Sequence, residues 1–257
     1  MLHQRTTGLT ATQFATLLTA LNNQLTWVKP AEKPRRLTLA QALKITLISY
    51  RHNLTQEALA HLFDVSQPTI SRTISTIEKA LEKILSPLVP TLEGNLKAPG
   101  SLVIDGTLIP TWNWRSQGKR NFSGKYKRAG FNHQVICTLD GRLLAITDPL
   151  PGARHDAHAF RAHGLDEFLD SSTLADKGYV GLGLATPAKR KPGVKLTKEQ
   201  KRNNRVLNRL RSVVERVIAQ VKTWRVLHSG FRRPLSLYQR VFSVVRGLLF
   251  LAAGRTL

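Results

Sequence analysis

Apolar residues recur at helical spacing in the first third of the chain. Between residues 37 and 50 they lie three or four positions apart, as on one face of an amphipathic helix. Thr55 has the side chain of a helix N-cap. The helix predicted after it buries Ala58, Leu59, Leu62 and Phe63. The pattern therefore predicts two consecutive helices before residue 64.

A tight corner at residues 64–66 leads into a third predicted helix, which tolerates Pro68 in its first turn. Ile70, Ile74 and Ile77 mark its buried face. This spacing is that of a helix-turn-helix motif, whose second helix lies in the major groove of DNA. The polar side chains expected to meet a duplex are Gln67, Thr69, Ser71 and Arg72. A three-helix bundle with a merely solvated polar face is the alternative interpretation.

The second half of the chain has the short apolar runs of strands. A strand is predicted from residue 102 that ends on Asp105, and two further strands flank the Asp140-Gly141 pair, a strong hairpin signal. A helix from His155 to Phe168, a short strand ending on Asp176, a brief strand near residues 184–187 and a long helix from Gln200 to Leu227 complete the pattern.

This element order is that of a ribonuclease-H-like sheet. We therefore predict an α/β fold with a mixed sheet flanked by helices, preceded by an all-α helix-turn-helix domain. The helix-turn-helix domain is predicted at residues 1–96 and the second domain at residues 97–257, with a Pro- and Gly-rich linker near residues 86–100.

The net charge of the chain indicates which class of binding partner to expect. The chain has 257 residues with 39 Lys and Arg against 16 Asp and Glu, a formal net charge of +23. The excess is uneven, about +4 before residue 97 and +19 after it. So large a charge repels itself unless a polyanion is nearby, which favours nucleic acid and argues against a metabolic enzyme that has no such partner.

The number of cysteines and the distribution of apolar residues indicate the cellular compartment of the protein. Cys137 alone cannot form an internal disulfide or a cysteine zinc site, so a reducing, cytoplasmic and nucleoid-associated location is expected. The N-terminus lacks the apolar segment of a secretory signal, and the apolar stretch from Val241 to Ala253 is interrupted by Arg246 and Gly247. We expect that stretch to be a buried closing helix, and we expect no membrane partner.

The last long helix carries the most informative spacing. Asn208, Arg211, Glu215 and Lys222 are separated by three, four and seven residues, so they lie along one stripe with a single acid. Taken alone, Glu215 beside Arg211 is equally a surface ion pair, and an Asp before Gly, as at Asp105, is equally a turn former.

Four motifs in this order resemble the DDE-class transposases of bacterial insertion sequences, in the insertion sequence group five branch. The helix stripe matches the family signature, with Asn208 where Tyr is commoner. Asp105 stands in a Val-Asp-Gly-Thr-like strand end (Ile-Asp-Gly-Thr here) and Asp176 in Asp-x-Gly-Tyr, and Pro151-Gly152 with His155-Asp156 matches a fourth segment. The resemblance runs from about Leu37 to Lys222.

The resemblance implies metal-dependent cleavage of DNA ends and strand transfer. Displacement at phosphorus requires that the attacking and leaving oxygens be stabilised, which two Mg²⁺ or Mn²⁺ ions held by carboxylates can do. Asp105, Asp176 and Glu215 are the implied catalytic residues and metal ligands. The implied partners are the transposon ends and target DNA, both double-stranded, and a second copy of the chain, because two ends must be joined.

Other residues are assigned to the neighbourhood of this site. His155, Asp156 and Asn208 are expected beside it, although Asp156 is equally a helix cap. His155 and His158 have the spacing of a zinc pair, but without a third convergent ligand a structural role is favoured for them. Basic residues expected on DNA phosphates are Arg211, Lys222, Lys189, Arg190 and Lys191. A basic loop with aromatic residues, from Trp112 to Arg128 and including Trp114 and Arg115, is a weaker candidate for stacking on an unpaired base. A silent DNA-binding repressor or adaptor, and a nuclease without strand transfer, remain alternatives.

Overall fold

The protein forms two compact units in a computed structural model that describes residues 2–28, 34–96, 100–112, 119–190 and 192–257. One unit comprises Met1–Val89 and Lys222–Leu257, and the other comprises Pro90–Val221. The expected division after residue 96 therefore differs from the structure at the C-terminal segment. That segment belongs to the helical unit because its apolar helix packs against the long helix of the helix-turn-helix.

The first unit is entirely helical where it is described. Its helices are α1 (Leu2–Thr7), α2 (Ala11–Gln24), α3 (Leu39–His52), α4 (Gln56–Leu62), α5 (Gln67–Leu85) and, from the C-terminal segment, α9 (Tyr238–Ala252). Thr38 and Gln41 form a capping box at the start of α3, and Thr55 caps α4 as predicted. The helix-turn-helix is thus α4 and α5, joined by a turn in which Asp64 adopts a positive φ of 50°.

The buried face of α4 differs from the prediction. Leu59 and Ala60 are buried in a cluster with Ile70 and Ile74, whereas Leu62 is 64% exposed and Ala58 is also exposed. With 100° between successive residues, the buried arc spans Leu59, Phe63 and Ala60, and Leu62 lies outside it. The prediction that Leu62 and Ala58 are core residues was wrong for this reason.

The second unit holds the sheet. Its strands are β1 (Leu102–Pro110), β2 (Phe122–Ser123), β3 (Arg128–Thr138), β4 (Leu143–Ile146) and β5 (Leu150–Pro151), and its helices are α6 (Leu92–Leu96), α7 (Asp156–Ala162) and α8 (Lys198–Lys222). The strands pair antiparallel, with β3 contacting all the others. The predicted hairpin at Asp140-Gly141 joins β3 to β4, with Gly141 at a φ of 92°. The short helix α6 lies inside the expected linker.

Parallel pairing enters through two short segments. Leu174 pairs with Val103 of β1 on one side and with Ala185 on the other, each as an isolated parallel bridge. Backbone hydrogen bonds join Ile104 N to Leu174 O at 2.9 Å and Leu174 N to Leu102 O at 2.7 Å. The predicted short strands therefore pair as expected but only over single residues. The predicted fold class is confirmed: a mixed sheet flanked by helices, preceded in the chain by a helix-turn-helix domain.

Three element boundaries differ from the sequence-based expectation. The strand β1 continues past Asp105 to Pro110, because its second half pairs with β3 from Gly130 to His133. The helix expected to reach Phe168 ends at Ala162, and Gly164 at a φ of 60° separates it from a single 3₁₀ turn. The helix α8 ends at Lys222 and not at Leu227, where a 3₁₀ turn lies instead.

The most apolar helical span is Leu235–Ala252, which includes α9. Its length and composition alone would allow it to cross a membrane. Core helices of soluble proteins pass the same test, and α9 buries Val241, Val245 and Leu248 in the helical unit. The prediction of a buried closing helix is confirmed, and this span does not indicate a membrane protein.

Candidate active site

Two aspartates follow a parallel bridge between β1 and the segment that contains Leu174. Since Val103 and Leu174 are partners in a parallel bridge, Asp105 and Asp176 stand two residues further along each segment in the same register. Residues two apart share a face of a sheet, and adjacent strands are about 4.8 Å apart. The pairing therefore places both carboxylates on one face, although 71 residues separate them in the chain.

The helix α8 reaches this pair through Arg211. A guanidinium nitrogen of Arg211 lies 3.7 Å from Oδ2 of Asp105, and the two side chains are only 14% and 18% exposed. Burial raises the pKa of Asp105 to about 6; the Arg211 charge opposes this rise, and the negative charge of Asp176 adds to it. The Nε of Arg211 is buried without a hydrogen-bond partner in the described chain. The arrangement therefore places a largely buried guanidinium against a largely buried carboxyl group.

A third carboxylate, Asp156, is wedged against the backbone of β1. A Cβ built on Gly106 would lie 2.0 Å from Oδ1 of Asp156, so only glycine fits at that position. Asn132 donates to the same Oδ1 at 3.0 Å. Asp156 is the first residue of α7, whose N-cap is His155, so the interpretation of Asp156 as the helix cap was wrong. Its carboxylate instead faces β1 and β3.

A series of buried hydrogen bonds ends at the Asp156 carboxylate. The Tyr179 hydroxyl donates to the side-chain carbonyl of Gln134, and the Gln134 amide donates to Asn132 at 2.9 Å. Burial, together with the three nearby carboxylates, raises the pKa of Tyr179, so its hydroxyl remains protonated as a donor. Asn132 then donates to Asp156. The side-chain conformation of Asp156 is fixed by groups that solvent does not reach.

The turn between β2 and β3 brings a cation to the carboxylates. The Lys125 ammonium lies 3.3 Å from Oδ2 of Asp156 and 5.3 Å from the centre of the Tyr126 ring. Burial acts to lower the pKa of Lys125, but Asp156 and Asp105 outweigh it and the pKa is raised. Sequence analysis placed Lys125 only within a basic loop. The available signal for the carboxylate that holds it was the pair of amide side chains, Asn132 and Gln134, at alternate positions of β3.

The other residues predicted for the site lie along α8 and at its edges. Glu215 is exposed one helical turn beyond Arg211, Asn208 is exposed one turn before it, and His155 is exposed at the start of α7. Lys222 is half-buried and is the last residue of α8. Among the described residues, no three or more His, Cys, Asp or Glu side chains converge so as to hold a metal ion. Asp105, Asp176 and Asp156 lie near the Tyr179 hydroxyl, whose pKa all three raise. Neither these three nor Glu215 form such a metal-binding group in the part of the chain that the structure describes.

The predicted DNA contacts of the helix-turn-helix occupy the first turns of α5. Arg72 is exposed, whereas Gln67, Thr69 and Ser71 are half-buried. Gln67 donates to the Gln56 side chain, and the hydroxyls of Ser66 and Thr69 are 2.9 Å apart. These bonds tie the start of α5 to α4 and to the turn.

The basic segment before α8 is exposed at Lys189 and Arg190. Lys191, and the loop residues Trp114 and Arg115, lie outside the described residues. Trp112, at the start of the same loop, is 66% exposed.

Comparison with known proteins agrees with both units. Residues 104–252 match the family model of the DDE superfamily endonuclease, and residues 35–87 match the helix-turn-helix of DDE superfamily endonuclease. The chain is 31% identical to a putative transposase for insertion sequence element IS112 from Streptomyces albus G, over 86% of this chain and 83% of the relative. It is 29% identical to a probable transposase for insertion sequence element IS702 from Microchaete diplosiphon, over 79% and 76%.

No solved structure matches the chain significantly. The endonuclease match spans more than half of the chain and contains Asp105, Asp156, Asp176 and Arg211, and the helix-turn-helix match contains α4 and α5. The chain therefore belongs to the DDE superfamily of endonucleases and carries the helix-turn-helix domain of that superfamily.

Proposed function

We propose that the protein is a transposase that binds the terminal repeats of an insertion sequence, cleaves the DNA ends and transfers the freed 3′ ends to target DNA. The observation that carries this proposal is the buried Asp105 carboxyl, 3.7 Å from the Arg211 guanidinium and close enough to Asp176 for that charge to raise its pKa. In-line displacement at phosphorus needs charge stabilisation on both sides of the phosphorus atom.

Asp105, Asp176 and Glu215 are proposed to hold two Mg²⁺ or Mn²⁺ ions. The donor set suits hard cations, which prefer carboxylate oxygens. The raised pKa of Asp105 supports this, because burial disfavours its charged form more than Arg211 and Lys125 favour it, and a bound cation would further stabilise that form. The ions would supply Lewis-acid stabilisation of the attacking and leaving oxygens. Glu215 is assigned to the same site because it lies one helical turn beyond Arg211, whose guanidinium is 3.7 Å from Asp105.

The chain's own residues would bind and orient the DNA. Arg72, with Gln67, Thr69 and Ser71, would place α5 in the major groove of the terminal repeat. Lys189, Arg190, Lys191 and Lys222 would contact phosphates, which positions the duplex without reading its sequence. Arg211 would contact the phosphate at the cleaved bond through the exposed part of its guanidinium, which lies beside Asp105.

Assembly and location follow from the reaction. Two ends must be held together for joining, so a homodimer or a larger oligomer on DNA is proposed. The DNA substrate places the protein in the cytoplasm with the nucleoid. His155 and Asn208, both exposed beside the site, would border the bound strand.

The test mixes purified protein with DNA that carries the inverted repeats flanking its own gene, plus Mg²⁺. Cleaved ends and joined products are expected. Asp105→Asn and Glu215→Gln should each abolish both products while leaving binding to the ends intact. Glu199→Gln, which removes an exposed acid from the first turn of the same helix, is the matched control and should remain active.

Each alternative has its own outcome in this assay. Binding without cleavage in the presence of Mg²⁺ would indicate a repressor or adaptor, and cleavage without joined product would indicate a nuclease. Full activity of the Glu215→Gln variant would remove Glu215 from the proposed metal ligands.

A further inference from the structure

Lys125 is placed as an accessible cation at the edge of the carboxylate site. Its side chain is 52% exposed, yet its ammonium lies 3.3 Å from Asp156 and within electrostatic range of Asp105. The aliphatic stem starts in the turn between β2 and β3, and the Tyr126 ring lies 5.3 Å from the ammonium. A basic side chain that is only solvated would not be held close to two carboxylates in this way.

The partner of Lys125 is itself rigid. Asp156 uses Oδ1 to accept from Asn132 and lies against Gly106, so Oδ2 is the oxygen left for the ammonium. Asn132 is held in turn by Gln134, which accepts from Tyr179. The buried groups therefore determine where the Lys125 ammonium lies.

The exposed half of Lys125 leaves donor capacity unused. An ammonium has three protons to donate, and its contacts with Asp156, at 3.3 Å, and with the Tyr126 hydroxyl leave one for an incoming acceptor. The acceptor that a DNA-cleaving site presents at this place is a non-bridging phosphate oxygen. Charge that develops on such an oxygen during displacement is stabilised best by donors that are already in position.

We propose that Lys125 binds a non-bridging oxygen of the phosphate that is cleaved, and that Asp156 is a positioning residue that aims the ammonium at it. This inference rests on the proposed cleavage of element ends. It assigns a role to the β2–β3 turn and to the buried hydrogen bonds behind Asp156, neither of which the metal-ligand assignment uses.

The experiment measures equilibrium binding of element ends in EDTA, so that no metal takes part. Wild-type protein with Mg²⁺ first maps the cleaved phosphate, and a second duplex then carries a neutral methylphosphonate at that position. Lys125→Met should weaken binding of the phosphodiester duplex about tenfold, the size expected of one hydrogen bond to a charged group. On the methylphosphonate duplex the same variant should bind as the wild type does.

Matched variants separate positioning from general charge loss. Lys127→Met, which removes an exposed cation two residues along the same turn, should not show the dependence on the methylphosphonate. Lys125→Arg should restore most of the affinity. Asp156→Asn should weaken binding as much as Lys125→Met, and the double variant should bind no more weakly than either single variant.

The results also separate this inference from the proposed function. If the wild type binds and cleaves the ends but Lys125→Met and Lys127→Met behave alike, the role of Lys125 is refuted and the transposase proposal stands. An equal loss on the diester and the methylphosphonate duplex would refute it as well. If the wild type does not bind the ends at all, both are refuted. Urea unfolding of each variant, including Lys125→Arg, identifies any loss that comes from misfolding.

Discussion

A buried ion pair in the helical unit offers a sharp test of how burial controls electrostatic stability. Glu78 of α5 is 1% exposed, and Arg233 of the C-terminal segment contacts both of its carboxylate oxygens, the second at 2.9 Å. The Tyr50 hydroxyl donates to the same carboxylate at 2.7 Å. Burial raises the pKa of Tyr50, which keeps this donor protonated. Arg233→Met would leave a buried carboxylate with one neutral donor.

The expected loss of unfolding free energy is about 3–5 kcal/mol, the usual result of removing one partner of a buried pair. The same helix supplies the control. Glu82, one turn beyond Glu78, pairs with Arg240 at 3.1 Å, but their side chains are 39% and 33% exposed. Arg240→Met should therefore cost only about 0.2–1 kcal/mol, because water solvates the remaining carboxylate.

Urea unfolding followed by tryptophan fluorescence measures both variants, since the buried Trp27 and Trp224 report on the helical unit. Adding Glu78→Gln to Arg233→Met should recover part of the loss, because it removes the unpaired charge. Equal losses for Arg233→Met and Arg240→Met would refute the reasoning. So would a double variant less stable than Arg233→Met alone.

Three further outcomes are expected. Gly106→Ala should abolish cleavage of element ends, measured on gels, because its Cβ would lie 2.0 Å from the Asp156 carboxylate; normal activity would contradict this close approach. Leu59→Ala should cost about 2–5 kcal/mol in urea unfolding, whereas Leu62→Ala should cost less than about 0.5 kcal/mol, and similar costs would contradict the observed burial. Burial raises the pKa of Cys137 to about 12, so a thiol reagent at pH 8 should modify it only after unfolding; rapid modification of the folded protein would show that the thiol is accessible.

The comparison of pattern and structure shows why some elements were predicted and others were not. Helix caps and the Asp140-Gly141 turn depend on residues two to four positions apart, so the cap at Thr55 and the β3–β4 hairpin could be predicted from local sequence. The end of β1 could not be predicted from local sequence. A strand extends as far as a neighbouring strand can form backbone hydrogen bonds with it, and β1 extends to Pro110 because β3 pairs with it up to that residue.

The helical face of α4 and the division of the chain also depended on distant contacts. A seven-residue helix has too few positions for its pattern to say which apolar side chains are buried, and Leu62 faces away from the cluster that Ile70 and Ile74 complete. Likewise, the apolar face of α9 predicts that this helix is buried, but it does not predict which element the helix packs against. Its contact with α5 decides that the C-terminal segment joins the helical unit.

The sequence by itself determined the residue types that phosphodiester chemistry needs, the periodicity of the helix-turn-helix and the large positive charge. Tertiary structure decided which acids meet. Parallel pairing at Val103 and Leu174 sets Asp105 beside Asp176, and the close approach at Gly106 adds Asp156 with its cation Lys125. The physical reason is the sequence separation over which each effect acts. Helix propensity and capping act over about one helical turn. The distance between two carboxylates depends instead on backbone hydrogen bonds between segments that are many tens of residues apart in the chain.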